Sequence, residues 1–348
     1  MKMKPKYLKD WKQEMSICIR CGYCFEGCPV FKERGWEVDG ARGKVVLSYG
    51  LLSGELNPSQ YIADKIYHCT FCKDCIEKCS ANVSVPDILT AARADLVKAG
   101  YVYEGHKELL NKIKKSGNIF RKKIVSPIQK GENPVPIGCR FLERTEDAKK
   151  YLEILEKLGV KPEVVDETYR GMPFAVLGYK DELPAHKEEF RKRFPYKEFI
   201  CLCTTCAFFI KKTYPDLKPK YVIETIAKKL PYYKPKKLGL KVTYPDPCNV
   251  ARGMGMVDKP REILKQIGVE LVEMVTNGED AECCGGGGRL LVTDKSLAEK
   301  RMKQALETGV DTFVTFCPTC EANIRNVSNR NGVKLKVKNV LDLISQAM

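Results

Sequence analysis

The apolar positions of this chain follow two different periods, and the change between them divides it. Up to about residue 120 they recur with the 3.6-residue spacing of amphipathic helices. The stretches 40–56 and 58–69 read as helices on that basis, and VPDILTAARADLVKAG (85–100) is opened by Pro86 and Asp87 in its first turn. From residue 134 onward, short apolar runs such as PVPIG (134–138), KEFICLC (197–203), KVTYPDP (241–247) and TFVTF (312–316) alternate with helical segments such as 146–159 and 298–309. Strands alternating with helices predict a parallel sheet with helices packed on it. Between the two regimes, KIKKSGNIFRKK (112–123) reads as a basic linker. The longest apolar runs, 172–179 and 199–210, are broken by Pro, Gly or Thr and fall short of the roughly 18 residues of a membrane span.

Composition changes this picture in one respect. The chain has 348 residues, ample for two or three domains, and 17 of them are cysteine. That is far above average usage, below the density of a small disulfide scaffold, and odd in number. The N-terminal MKMKPKYLKDWKQE has no apolar core of a secretory signal, so reduced, mostly metal-bound thiols in the cytoplasm are expected.

Two cysteine runs repeat one spacing. Cys18, Cys21, Cys24 and Cys28 stand as Cys-x2-Cys-x2-Cys-x3-Cys-Pro, and Cys69, Cys72, Cys75 and Cys79 repeat it with Ser80 in place of the proline. This is the bacterial ferredoxin pattern for cubane [4Fe-4S] clusters, in which the fourth cysteine of each run ligates the other cluster. The pattern assigns one cluster to Cys18, Cys21, Cys24 and Cys79, and the other to Cys69, Cys72, Cys75 and Cys28. Zinc ribbons want pairs of Cys-x2-Cys knuckles, not four cysteines within eleven residues.

The remainder of the chain contains one arrangement twice, about 110 residues apart. The second copy places Cys248 after a strand, then Cys283-Cys284 followed by Gly285 to Gly288, then a strand entering Cys317-Pro-Thr-Cys320. In the first copy Cys139 follows a strand, Tyr169-Arg170-Gly171 stands where the cysteine pair would be, and a strand enters Cys203-Thr-Thr-Cys206. Cysteines just beyond strands lie at the carboxyl ends of a parallel sheet, where α/β folds hold ligands.

Cys-x34-Cys-Cys-Gly-x31-Cys-Pro-x-Cys resembles the cysteine-rich CCG domain of heterodisulfide reductases. A double ferredoxin module followed by two such domains resembles the iron-sulfur subunit of membrane-linked heterodisulfide reductase. Similar layouts occur in the iron-sulfur subunits of glycolate oxidase and anaerobic glycerol-3-phosphate dehydrogenase. The resemblance implies α/β architecture with an N-terminal helical ferredoxin module and two Rossmann-like CCG lobes related by a pseudo-twofold axis. The implied domains are 1–125, a degenerate CCG domain at 133–236, and an intact one at 237–348. It also implies a noncubane [4Fe-4S] cluster on Cys248, Cys283, Cys284, Cys317 and Cys320, with Cys283 and Cys284 at the catalytic centre. A redox-active vicinal disulfide, or zinc with a spare thiol, are the other readings of the adjacent pair. In the first copy Cys139, Cys201, Cys203 and Cys206 remain; zinc, no metal, or an unusual cluster are all open there.

The implied function is an iron-sulfur oxidoreductase subunit that relays electrons through two cubanes to a noncubane cluster acting on a disulfide or thiol substrate. The alternative is a non-catalytic electron-transfer subunit linking a flavin dehydrogenase to a membrane quinone or cytochrome. No dinucleotide or flavin fingerprint is present, because Gly253-Met-Gly255 lacks its third glycine. Electrons are therefore expected from a flavin-containing or hydrogenase-type donor subunit, with a membrane cytochrome b or quinone as a further partner. This places the chain in the cytoplasm, peripheral on the inner face of the membrane. The formal charge of +16 is spread along the chain and is offset by the negative charge of thiolate-ligated clusters, so no nucleic-acid partner is expected.

Overall fold

The structure, a computed structural model, describes residues 3–119, 131–142, 144–165, 169–288 and 295–348. The Cys139 side chain, and residues 120–123 of the stretch that reads as a linker, lie outside the described part. The chain forms two compact units. The first comprises Met1–Asn111, Gly171–His186 and Glu282–Ala298; the second comprises Lys112–Arg170, Lys187–Ala281 and Glu299–Met348.

The first unit is helical, as its apolar period predicts. Helices Ala41–Ser53, Gln60–Tyr67 and Val85–Lys98 bury Val45, Leu51, Ile62, Ile66, Ile88, Leu89 and Leu96 in one core. Their ends carry ordinary stop and start signals. The Ser59 hydroxyl accepts from the Ile62 amide at 3.3 Å, supplying an acceptor to one of the orphan donors of the first turn. Gly54 ends Ala41–Ser53 at φ +78°, a left-handed cap that suits a residue without Cβ. Pro86 stands in the first turn of Val85–Lys98, where its missing N–H costs nothing, and the Ser84 hydroxyl donates to Asp87 at 2.7 Å. Asp95, buried on the same helix, accepts from the amides of Lys6, Tyr7 and Leu8 and fixes the incoming chain. Helix Glu104–Ser116 extends into the stretch that reads as a linker, so residues 112–116 are helical instead. The apolar face with Leu110 and Ile113, both buried, outweighs its run of lysines.

The second unit is α/β with small parallel sheets. Its strands are β1 (Asn133–Val135), β2 (Pro162–Val164), β3 (Glu198–Cys201), β4 (Lys218–Tyr221), β5 (Lys241–Val242), β6 (Glu270–Leu271), β7 (Thr312–Thr315) and β8 (Lys336–Asn339). All pairings are parallel: β1 with β2, β3 with β4, β5 with β6, and β7 with β8. The two copies of the repeat therefore pair their strands alike. In the first copy β1 also contacts β3. In the second a bridge from Thr243 to Phe313 joins β5 to β7. Parallel strands buried on both faces demand continuous apolar runs, and all four residues of β7 are buried. Among the described residues no helix is long and apolar enough to cross a membrane.

Candidate metal centres

Each cysteine run begins with a backbone twisted the same way. Arg20 and Gly22 of the first run have φ of +58° and +91°, and the equivalent Phe71 and Lys73 of the second have +56° and +68°. Left-handed residues on both sides of the middle cysteine curl the chain so that three thiols turn inward. For the three non-glycine residues this conformation costs on the order of 1 kcal/mol each, strain of the kind that marks functional loops. The exits differ. Cys28 precedes helix Pro29–Arg34, whereas Cys79 leads into an irregular turn where the Val83 amide donates to the Cys79 Sγ at 3.4 Å.

Cys28, the last cysteine of the first run, lines one cavity with Cys69, Cys72 and Cys75 of the second. Burial pushes the Cys28 thiol up to about 11, the Lys44 charge works against that shift, and Cys72 and Cys69 reinforce it. Burial likewise drives Cys75 well upward, with Cys72, Cys69 and Cys28 adding to it. Cys72 and Cys75 are buried, and Cys28 and Cys69 half-buried. We call this the inner set. The outer set is coupled in the complementary way. Burial raises the Cys24 thiol, and Cys18, Cys21 and Cys79 add to the shift. Here Cys21 is exposed and the other three are half-buried. Arg42 fastens the outer loop by donating to the Arg20 carbonyl at 2.7 Å and to Glu37 at 2.9 Å.

The inner set is flanked by two buried cations for which the motif gives no signal. Lys44 donates to the carbonyls of Asp39 and of His68, the latter at 3.0 Å. Burial lowers its affinity for its proton, while Cys69, Cys28 and Asp39 raise it. Arg93 has no exposed surface. Its guanidinium donates to the carbonyls of Tyr67 (3.0 Å), Cys69 (3.3 Å), Val176 (2.9 Å) and Gly288 (3.1 Å), and lies over the rings of Tyr67 and Phe71 at 4.7 and 4.5 Å. One side chain thus ties the second cysteine run to the glycine run that follows Cys283 and Cys284. The glycines are required there. A Cβ on Gly287 would stand 2.1 Å from the Thr70 carbonyl oxygen, and one on Gly288 would stand 2.0 Å from that of Cys69.

Cys283 and Cys284 are buried in the first unit. Cys248, half-buried, and Cys317 and Cys320, buried, belong to the second. Cys317 leaves β7 and is the residue before helix Pro318–Arg330, its amide donating to the Thr315 hydroxyl at 3.1 Å. Cys203 takes the same place between β3 and helix Thr204–Thr213. A thiol at a helix N-terminus is favoured as thiolate by the orphan amides there. Cys201 is fully buried at the end of β3. In the place of the missing cysteine pair, Arg170 is buried and its Nη1 donates to the Cys206 Sγ at 3.1 Å. Among the described residues, no three or more His, Cys, Asp or Glu side chains converge as they would on a single metal ion. A cluster needs thiols around a volume instead of a point, and the inner set encloses one.

The 4Fe-4S dicluster domain family matches residues 14–83, and the cysteine-rich CCG domain family matches residues 242–325. This is a CCG-domain iron-sulfur protein. Over 99% of its length and 75% of the relative's, it is 28% identical to one subunit of the fumarate reductase (CoM/CoB) of Methanothermobacter marburgensis. Over 96% and 94% it is 28% identical to one subunit of the dihydromethanophenazine:CoB–CoM heterodisulfide reductase of Methanosarcina barkeri. An EtfAB:quinone oxidoreductase of Syntrophomonas wolfei is 24% identical over 89% of this chain and 55% of its own. The CCG protein therefore resembles redox proteins along nearly its whole length.

Proposed function

We propose that this chain is an iron-sulfur reductase subunit of the heterodisulfide reductase type, which accepts electrons from a separate donor protein and delivers them to a disulfide or thiol substrate. The observation that carries this reading is the interleaving of the runs: Cys24 is coupled to Cys18, Cys21 and Cys79, and Cys28 to Cys69 and Cys72. The outer set would hold one cubane [4Fe-4S] cluster and the inner set, with Cys75, the other. Clusters of this kind supply one-electron steps when bound. The chain's own residues place four thiols on each, exclude water from the inner one, and curl the backbone at Arg20, Gly22, Phe71 and Lys73 to do so. A noncubane cluster on Cys248, Cys283, Cys284, Cys317 and Cys320 rests on the motif, with Cys283 and Cys284 as its catalytic ligands.

The same proposal takes 1–125 as the ferredoxin-like domain and 133–236 and 237–348 as two Rossmann-like CCG lobes related by a pseudo-twofold axis. The like pairing of strands in the two copies supports it. In the first lobe the Arg170 guanidinium beside Cys206 repels a dication, which favours a metal-free site over zinc on Cys139, Cys201, Cys203 and Cys206. That same substitution favours a second reading, a non-catalytic electron carrier between a flavin dehydrogenase and a membrane quinone or cytochrome b, since a carrier tolerates the loss of one ligand pair. A place in the cytoplasm, peripheral to the membrane, fits either.

Anaerobic reconstitution followed by metal analysis and a disulfide-reductase assay tests the proposal. About twelve irons per chain, no zinc, and oxidation of reduced viologen by a heterodisulfide are expected. About eight irons would remove the third cluster, and a cluster-replete protein inert toward disulfides would leave the carrier reading.

A further inference from the structure

The inner cysteines are surrounded by fixed positive charge that the outer ones lack. Lys44 lines the inner cavity and is coupled to Cys28 and Cys69; Arg93 is fully buried, is coupled to Cys69 and donates to its carbonyl. Both are held by backbone carbonyls, which fix the charges in place without cancelling them. Of the buried carboxylates nearby, Asp39 is engaged by Lys65 at 2.7 Å, and Asp74 beside Cys75 opposes the cations. The outer set has Arg42 near it, a partly exposed side chain paired with Glu37 and screened by solvent.

We propose that Lys44 and Arg93 tune the cubane held by Cys28, Cys69, Cys72 and Cys75, raising its reduction potential so that the buried site can take an electron. The proposal rests on the ligation reading above. Burial alone disfavours the more negative reduced state, as it disfavours any added charge in a low-dielectric interior. Two fixed cations at short range offset that penalty, and Arg93 also holds Gly288 against Cys69, placing the positive charge where the inner loop meets the segment that follows Cys283 and Cys284. The step is the uptake of one electron from an external donor, dithionite in the test; no bond forms or breaks and no proton moves.

The test is an anaerobic redox titration of the reconstituted full chain followed by electron paramagnetic resonance, with the inner signal identified as the one altered by Cys72→Ser. Lys44→Gln is expected to lower the inner midpoint by the equivalent of about a tenfold change in electron affinity, about 59 mV for one electron, and to leave the outer midpoint where it was. Lys44→Arg should restore it. Arg93→Lys should hold the inner midpoint near the wild-type value, while Arg93→Gln lowers it. Equal movement of both midpoints, no movement of either, or failure of Lys44→Arg to restore the value would overturn the tuning role. A wild-type protein lacking two reducible cubanes would instead overturn the ligation reading, and the proposal with it.

Discussion

The outer and inner cysteine sets share a spacing and a backbone, yet they sit in opposite surroundings. Arg20 and Gly22 in one run match Phe71 and Lys73 in the other in their positive φ angles. Cys21, however, is exposed where Cys72 is buried, and the inner set alone has two buried cations beside it. Spacing dictates how thiols converge. What packs around them decides solvent access, charge and the path outward.

The comparison is broken most severely at Arg93. Replacing it by leucine strips four backbone carbonyls of a buried cationic donor, so a loss of about 3–5 kcal/mol in unfolding free energy is expected in denaturant titrations. Arg42→Leu, at the solvent-facing outer loop, should cost under about 1 kcal/mol. If the two variants lost equally, the inner set would not be the more tightly built one. Next in size is the contact between the glycine run and Cys69. Gly288→Ala forces a Cβ onto a backbone oxygen and should cost about 2–3 kcal/mol. Gly54→Ala, also at positive φ but with open space around it, should cost about 1 kcal/mol.

A chelator sharpens the contrast without mutation. With Cys21 exposed, iron should leave the outer set about tenfold faster than the inner, a difference of about 1.4 kcal/mol in barrier. Absorbance decay with two phases, the faster abolished in Cys21→Ser, would show it. The smallest effect is electrostatic. His106 packs against Tyr67 and Tyr103, and burial, with the Arg93 charge adding, lowers it to about 4. The unfolded chain, near 6.5, binds that proton first. The stability this histidine contributes is thus fully present above about pH 6.5 and is lost as pH falls toward 4. His106→Gln should flatten that slope, and an unchanged slope would dismiss the imidazole as its cause.

Much of this is legible from residue spacing. The helices between the runs, the strands entering Cys203 and Cys317, and the pairing of one run with the other all follow from periodicity and motif. Arg93 and Lys44 become legible only once the fold is known. Arg93 lies four residues after Leu89 and three before Leu96, on the apolar face of its helix, a position where a charge reads as misplaced until its carbonyl partners are known. The glycine run reads as room for a cluster, yet Gly287 and Gly288 are needed against Thr70 and Cys69, a long-range approach that no local pattern encodes. The lysines at 112–115 suggest a linker only while charge is weighed above the apolar face of Leu110 and Ile113. Arg170 stands out in the sequence, but its partner, Cys206, is 36 residues away and is set by how the first copy folds.

The central claim is that the two cysteine runs interleave, each lending its last thiol to the other. It is tested most directly by comparing the paramagnetic resonance signals of four single variants of the reconstituted chain. Cys79→Ser should alter the same cubane signal as Cys21→Ser, and Cys28→Ser the same one as Cys72→Ser. If Cys79→Ser instead altered the signal changed by Cys72→Ser, each run would hold its own cluster, and the interleaving would be refuted.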